Sequence, residues 1–330
     1  MNNIYPDVMN ILHLEYDQYP AEAIQALVAQ HQVESFHCSD QEELYDKLTK
    51  ENYEVIFTRL GLMIDKRAID LQPQLKYVVT STTGLNHIDT KTTAAKNIRV
   101  ISLKGESEFL ANVKSTAEHT WGLLLALIRH LPAAVKSVAE GNWNRSIFLS
   151  DELDGKKIGI IGYGRLGKIV ARYAKAFGME VRVHDHTPEH YKNHIDIVPC
   201  GLEELLKTSD VVVLLISWSE DNTNFMDAAK FGLMKEGAYF INPARGELVD
   251  EEALLDALQS QKIKGAALDV LWDDSSWATQ AKGSSALRAY QRENANLLIT
   301  PHMGGYGKDS IAKTRNFVTN KFLSLTKIKQ

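Results

Sequence analysis

The run Lys157-Ile158-Gly159-Ile160-Ile161-Gly162-Tyr163-Gly164-Arg165-Leu166-Gly167 restricts this chain more than any other segment, because an apolar stretch enters GxGxxG and continues as a helical pattern. Each glycine of such a strand–turn–helix unit has a mechanical task. Gly162 permits the tight turn, Gly164 lets the backbone approach a pyrophosphate, and Gly167 lets helix and strand pack closely. The helix N-terminus adds N–H donors and the positive end of its dipole. Glycine spacing alone is a weak signal, and here the context strengthens it. The helical pattern runs to Phe177-Gly178, a strand over Glu180–Asp185 follows, and Asp185 stands 18 residues after Gly167, near the ~20 expected for an acid that takes ribose hydroxyls. Its carboxylate repels a 2′-phosphate and no Arg or Lys follows it directly, so NAD is expected over NADP, with His184 and His186 adjusting the local charge.

Strand and helix patterns alternate on both sides of this turn, which is the signature of βαβ units and parallel sheets. The first series has strands predicted at Ile11–Glu15, Val33–Cys38, Glu54–Arg59, Leu75–Ser81 and Arg99–Leu103, with helices over 21–30, 41–50, 66–71 and 89–96 between them. Ser39 and Glu42 have the spacing of a capping box at the second helix. The later series is predicted at Lys157–Gly162, Glu180–Asp185, Asp196–Val198, Asp210–Ile216, Ala238–Asn242, Gly265–Val270 and Asn296–Thr300. Between the series, Leu110–His130 reads as a helix with Leu123, Leu124, Leu127 and Leu131 on one face, the first crossing between two domains. Ser310–Lys327 reads as a final helix and a second crossing.

Length and charge exclude several classes. At 330 residues the chain exceeds the usual single core, and 44% hydrophobic with 24% charged residues is ordinary globular usage. A net charge of −5 lacks the basic excess that phosphate backbones demand, so no nucleic acid partner is expected. The apolar runs Trp121–Ile128 and Val211–Ile216 are far shorter than the roughly 20 residues of a membrane span, and no membrane partner is expected. Met1–Asp17 carries Asp7, Glu15 and Asp17 without a basic start, which reads as a cytoplasmic protein rather than a secreted one. Cys38 and Cys200 are isolated and read as buried thiols, with neither zinc nor disulfide spacing.

Six segments carry a resemblance. They are Leu75–Val79 leading to Thr83-Gly84-Leu85-Asn86-His87-Ile88-Asp89; Ser115-Thr116-Ala117-Glu118-His119-Thr120; the glycine turn; Asn242-Pro243-Ala244-Arg245-Gly246; Ala267-Leu268-Asp269-Val270; and Thr300-Pro301-His302-Met303-Gly304-Gly305. In this order they resemble the D-isomer-specific 2-hydroxyacid dehydrogenase family, which includes phosphoglycerate, glycerate, D-lactate and formate dehydrogenases. The resemblance implies an α/β fold of two doubly wound parallel-sheet domains. A Rossmann NAD-binding domain at 112–303 would be inserted in a flavodoxin-like substrate domain made of 1–111 and 304–330. It also implies a homodimer, with the arm over Pro132–Ser150 wrapping the partner and Trp143, Ile147 and Phe148 as anchors.

Moving a hydride between nicotinamide and a 2-oxo acid needs a cation for the carboxylate and a proton donor for the carbonyl oxygen. Arg245 suits the first task, since its planar fork binds carboxylate and carbonyl oxygens together and it follows an apolar strand, at the sheet end where ligands bind. His302 suits the second, because imidazole can both give and take a proton near neutrality. A carboxylate should fix its tautomer. Relatives usually carry Glu five residues after the Asp of Ala267–Val270; this chain has the shorter Asp274, with Asp273 as the alternative partner. No Gln stands there, which disfavours formate as substrate. The segment Ser275–Glu293 reads as a specificity loop or a solvated helix on the rim.

By the same resemblance, the whole turn including Tyr163, Arg165 and Leu166 holds the cofactor, and Thr116, Glu118, Ser217, Ala244 and Asp269 line it, Asp269 accepting from the carboxamide. Thr82, Thr83 and Gly84 form the loop facing the acid's carboxylate; relatives often have Gly where Thr82 stands, so Thr82 narrows the pocket. The expected activity is an NAD-dependent oxidoreductase acting on a small 2-hydroxy or 2-oxo acid, without metal. A dinucleotide-responsive binding protein of the corepressor kind is the alternative, since the same architecture serves both. Only 28 residues follow His302, too few for the large C-terminal regulatory domain of some phosphoglycerate dehydrogenases.

Overall fold

The first sheet of the computed structural model contains β1 (Asn10–His13), β2 (Gln32–Ser35), β3 (Val55–Thr58), β4 (Tyr77–Thr80) and β5 (Arg99–Ile101), all parallel, in the order β2-β1-β3-β4-β5. This is the flavodoxin-like order. The structure describes residues 8–326 apart from 188, 190, 192–194, 273 and 275–284. Helices α1 (Ala21–Val28), α2 (Gln41–Lys50), α3 (Lys66–Asp70), α4 (Thr90–Ala95) and α5 (Ser107–Leu110) connect or follow the strands. Successive strand residues point to opposite faces, and both faces are covered. Leu12, Ile56 and Val78 enter one core, Ile11, Val55, Phe57 and Val79 the other. That double burial is why these strands read as continuous apolar runs. Strands of both series fall within a few residues of the predicted ones.

Two local expectations are corrected. The cap of α2 is Asp40 rather than Ser39: the Asp40 backbone is extended and its carboxylate accepts from the Glu43 N–H at 2.9 Å, while Glu43 reaches back to the Ser39 N–H. The crossing helix is also shorter than predicted. It is α6 (Ser115–Ile128), separated from α5, and the Ser115 hydroxyl at its start is committed to the Gly304 carbonyl at 2.8 Å and the Gly307 N–H at 3.0 Å. At its other end His130 turns to φ 52°, so Leu131 leaves the buried face and opens a second helix, α7 (Leu131–Ala139), where it is exposed.

The second sheet has β6 (Lys157–Ile161), β7 (Glu180–His184), β8 (Val198–Pro199), β9 (Val211–Leu214), β10 (Ala238–Asn242), β11 (Ile263–Leu268) and β12 (Leu297–Ile299), again all parallel, in the order β12-β11-β10-β9-β6-β7-β8. Its centre follows the doubly wound dinucleotide-binding order, reversing at β6. Helices α8 (Arg165–Ala176), α9 (Leu202–Thr208), α10 (Ala228–Leu233), α11 (Glu251–Gln259) and α12 (Ser285–Glu293) belong to it, and α6 buries Leu123, Leu124, Leu127 and Ile128 in its core. The last helix, α13 (Lys308–Thr326), buries Val318 and Phe322 in a core of the first sheet.

The chain divides into two units, one holding residues 8–113 and 308–326, the other 114–274 and 285–307. Among the described residues no single helix is long and apolar enough to cross a membrane. Cys38 is buried and its thiol is pushed up to about 11, mainly by burial, so it is inert near neutrality; Cys200 is only half-buried, a departure from the expected buried thiol.

Candidate active site

The glycine turn has the geometry its sequence demands. Gly162 sits at φ 97°, and a Cβ there would fall 2.8 Å from the Leu215 carbonyl group. At Gly167 a Cβ would meet the Gly162 oxygen at 2.3 Å, so helix and turn close on each other only because that residue is glycine. Gly164 differs: it caps α8, no side chain caps that end, and a Cβ would project into open space. A helix of 12 residues thus presents its first-turn N–H groups beside an open approach, the arrangement a pyrophosphate requires. Asp185 follows the end of β7, and its carboxylate takes the Tyr163 N–H at 2.7 Å and the Thr187 N–H at 2.8 Å. It therefore also braces the glycine turn, a task that its spacing alone does not reveal.

The candidate reacting groups follow the carboxyl ends of the neighbouring strands β10, β11 and β12, at the same edge of this parallel sheet as the glycine turn. A backbone ladder extends past the strand ends. The Asp269 N–H donates to the Asn242 carbonyl at 3.0 Å, and the His302 N–H to the Asp269 carbonyl at 2.8 Å. Three sequence motifs far apart in the chain are thereby brought level.

Arg245 lies three residues beyond Asn242, whose side chain builds the turn: its Nδ2 donates to the Arg245 carbonyl at 2.8 Å and its Oδ1 accepts from the Ala244 N–H at 3.0 Å. Gly246 packs this turn on the next loop, where a Cβ would lie 2.0 Å from the Leu271 carbonyl carbon and 2.4 Å from the Trp272 nitrogen. The half-buried Arg245 guanidinium donates to the Ala244 carbonyl at 2.6 Å, and among the described residues it makes no ion pair. Asn242 and Gly246 were visible only as members of a motif; their work is done through contacts that sequence spacing does not encode.

His302 adopts φ 50°, and its Nδ1 stands 3.1 Å from Asp274 Oδ2, the two side chains 23% and 16% exposed. The short Asp reaches because its loop doubles back: the Asp274 N–H donates to the Leu271 carbonyl at 3.2 Å and Oδ2 accepts from the Leu271 N–H at 3.2 Å. Asp273, the alternative partner, lies outside the described residues, as does much of the 275–293 segment; its last part forms α12.

Asp269 is the most heavily used carboxylate of the site. It is 1% exposed and takes four hydrogen bonds, from His119 Nε2 at 3.0 Å, Thr300 Oγ1 at 2.6 Å and the Met303 N–H at 2.9 Å on Oδ1, and from the Gly304 N–H at 2.7 Å on Oδ2. Burial alone would raise its pKa; these donors outweigh burial and hold it below the ordinary carboxylate value. Thr116 directs its methyl at Gly304, where an added Cβ would lie 3.3 Å from it. Glu118 and Ser217 are exposed, and the Ser217 carbonyl accepts from Asn222 Nδ2 at 2.9 Å.

Thr82, Thr83 and Gly84 belong to the other unit. Thr82 Oγ1 donates to the Gly84 carbonyl at 2.7 Å and lies 3.1 Å from Thr80 Oγ1, which in turn lies 3.1 Å from His87 Nε2. The hydroxyl that replaces the usual glycine thus pins its own loop.

Residues 121–304 match the family model described as D-isomer specific 2-hydroxyacid dehydrogenase, NAD binding domain. The chain belongs to the D-isomer specific 2-hydroxyacid dehydrogenase family, and its cofactor is NAD. It is 33% identical over 290 residues to D-3-phosphoglycerate dehydrogenase of Methanocaldococcus jannaschii, which covers 87% of this chain and 52% of that protein. It spans about half the length of the curated relatives it matches. Among solved structures it is similar to D-lactate dehydrogenase from Aquifex aeolicus complexed with NAD and lactic acid, with TM-score 0.78, 27% identity and coverage of 96% and 95%. It is also similar to an acyclic imino acid reductase in complex with NADPH and D-Arg, with TM-score 0.78, 26% identity and coverage of 97% and 99%.

Proposed function

We propose that this chain interconverts a D-2-hydroxy acid and its 2-oxo acid, with Arg245 holding the carboxylate and His302 moving the proton. The observation that carries the reading is the 3.1 Å contact between His302 Nδ1 and Asp274 Oδ2. A carboxylate beside Nδ1 orients the ring, leaving Nε2 to exchange a proton with the substrate oxygen. Nε2 gives that proton to the carbonyl oxygen in the reducing direction and recovers it from the hydroxyl in the oxidising one. Arg245 grips the acid's carboxylate through its fork.

NAD supplies the two-electron exchange at the acid's C2. The turn Gly162–Gly167, with Tyr163, Arg165 and Leu166, would hold its pyrophosphate, Asp185 its ribose, and Thr116, Ser217 and Ala244 its flanks. Among the described residues Asp269 Oδ2 takes one hydrogen bond, from Gly304, and it keeps acceptor capacity for the carboxamide. We further infer a homodimer. Val135 is 70% exposed, Trp143 89% and Leu149 88%, an apolar arm of the kind that partners cover. Sedimentation should give twice the chain mass, and a monomer at micromolar concentration would remove this part.

The test is NADH oxidation across a panel of 2-oxo acids. Turnover of at least one is expected, with Arg245→Ala losing kcat/KM on the order of a hundredfold. Tight NADH binding without turnover of any acid would favour the binding-protein reading instead.

A further inference from the structure

We infer that His119 is a positioning residue for the loop that carries His302, acting through Asp269. The inference rests on the proposed role of His302 only for its kinetic consequence. His119 comes from α6, 150 residues before Asp269, and its Nε2 lies 3.0 Å from Asp269 Oδ1 and 3.0 Å from Thr300 Oγ1. At 2.6 Å the Thr300 hydroxyl directs its proton to the same carboxylate oxygen. A carboxylate only accepts, so the proton in the His119 contact sits on Nε2, shared between the carboxylate and a lone pair of Thr300. The tautomer is thus set by the neighbours.

Asp269 in turn holds three successive amides of the acid/base loop. Its carbonyl takes the His302 N–H at 2.8 Å, and its carboxylate takes Met303 at 2.9 Å and Gly304 at 2.7 Å. Those bonds maintain His302 at φ 50°, a region non-glycine residues occupy only where the surroundings fix them. Among the described residues no Lys or Arg pairs with this buried carboxylate, and His119 is its titratable donor. The ring also bounds the loop sterically, since a Cβ on Gly304 would lie 3.6 Å from His119 Cδ2 and 2.8 Å from Asp269 Oδ2. Removing the Nε2–H donor leaves the carboxylate held by Thr300, Met303 and Gly304, with less to stop it rotating away from the Met303 and Gly304 amides.

The experiment pairs kinetics with backbone hydrogen exchange of the peptide spanning 297–307. His119→Leu removes the donor at similar volume, and His119→Phe keeps the ring shape should the first variant fail to fold. His119→Gln restores an N–H at the same reach. In the wild type and the Gln variant the Met303 and Gly304 amides should remain protected, and in the Leu or Phe variant their protection should fall about tenfold or more. For an acid that the wild type reduces, kcat should fall about tenfold or more in the Leu or Phe variant, with KM for the acid within about twofold, and Gln should recover most of it. Unchanged protection in both apolar variants overturns the inference. Should the wild type reduce no acid, the functional proposal fails while the exchange experiment still decides the role of His119.

Discussion

Nδ1 of His302 lies 3.1 Å from Oδ2 of Asp274, across a loop that folds back on itself between Leu271 and Asp274. The turn makes up for the methylene that Asp lacks relative to the Glu usual in relatives. Asp274→Asn keeps the shape and removes the charge behind the imidazole, so kcat should fall about a hundredfold, the lower end of what a positioned acid/base contributes. Asp274→Glu should retain more activity than Asn because it restores a carboxylate. Steady-state NADH oxidation decides the matter, and an Asn variant as fast as the wild type would leave the pair without a role.

Gly164 and Gly167 separate binding from folding. A Cβ at Gly164 meets no atom within 4 Å, whereas at Gly167 it would lie 2.3 Å from the Gly162 oxygen. Gly164→Ala should therefore unfold at the wild-type denaturant midpoint yet bind NADH at least tenfold more weakly, by the order of 1.4 kcal/mol or more that a crowded phosphate contact costs. Gly167→Ala should lose about 1–3 kcal/mol of stability from overpacking. Titration by NADH fluorescence beside urea unfolding checks both halves.

Gly246→Ala should act on Arg245. With 2.0 Å to the Leu271 carbonyl carbon there is no room for a methyl, and the atoms in the way are backbone. The Arg245 turn must then lift from the 271–272 loop, so KM for the 2-oxo acid should rise about tenfold or more while NADH affinity is retained. An unchanged KM would show that this packing does not set the position of the guanidinium.

Much of this was legible in the chain itself, and the misses have physical causes. Parallel strands buried on both faces, such as Val211–Leu214, announce themselves as apolar runs. Their ends do not: Leu215 keeps one bond to the neighbouring strand, its N–H to the Ile161 carbonyl at 2.7 Å, and Ile216 is apolar too yet lies beyond the strand. Arg245, Asp274 and His302 stand out in the sequence as candidates because their residue types suit the chemistry. Asn242, Gly246 and His119 were not found as site residues, because each acts through contacts with residues that side-chain chemistry and spacing do not single out. Asp40 displaced Ser39 as a helix cap because either side chain can do that work, and the backbone decides.

His13 gives a pH signature of the fold. Its ring is fully buried, stacked on Phe57 at 4.8 Å, and burial, with Arg315 nearby, lowers its pKa from 6.5 to about 3. Below pH 6.5 the unfolded chain takes up a proton that the folded chain refuses, so this group removes stability as pH falls toward 3, at up to about 1.4 kcal/mol per pH unit. His13→Phe should lose less stability than the wild type between pH 7 and pH 5, by roughly 1–2 kcal/mol in urea unfolding. Equal losses in the two proteins would contradict it.

In the proposed mechanism one imidazole carries the proton while a separate surface holds the dinucleotide. Single-turnover reduction of an active 2-oxo acid by NADH, compared between the wild type and His302→Asn in the same preparation, tests it most directly. The rate should be at least about a thousandfold slower in the variant, with NADH affinity within twofold of the wild type. A His302→Asn protein that reduces the acid at the wild-type rate would contradict it.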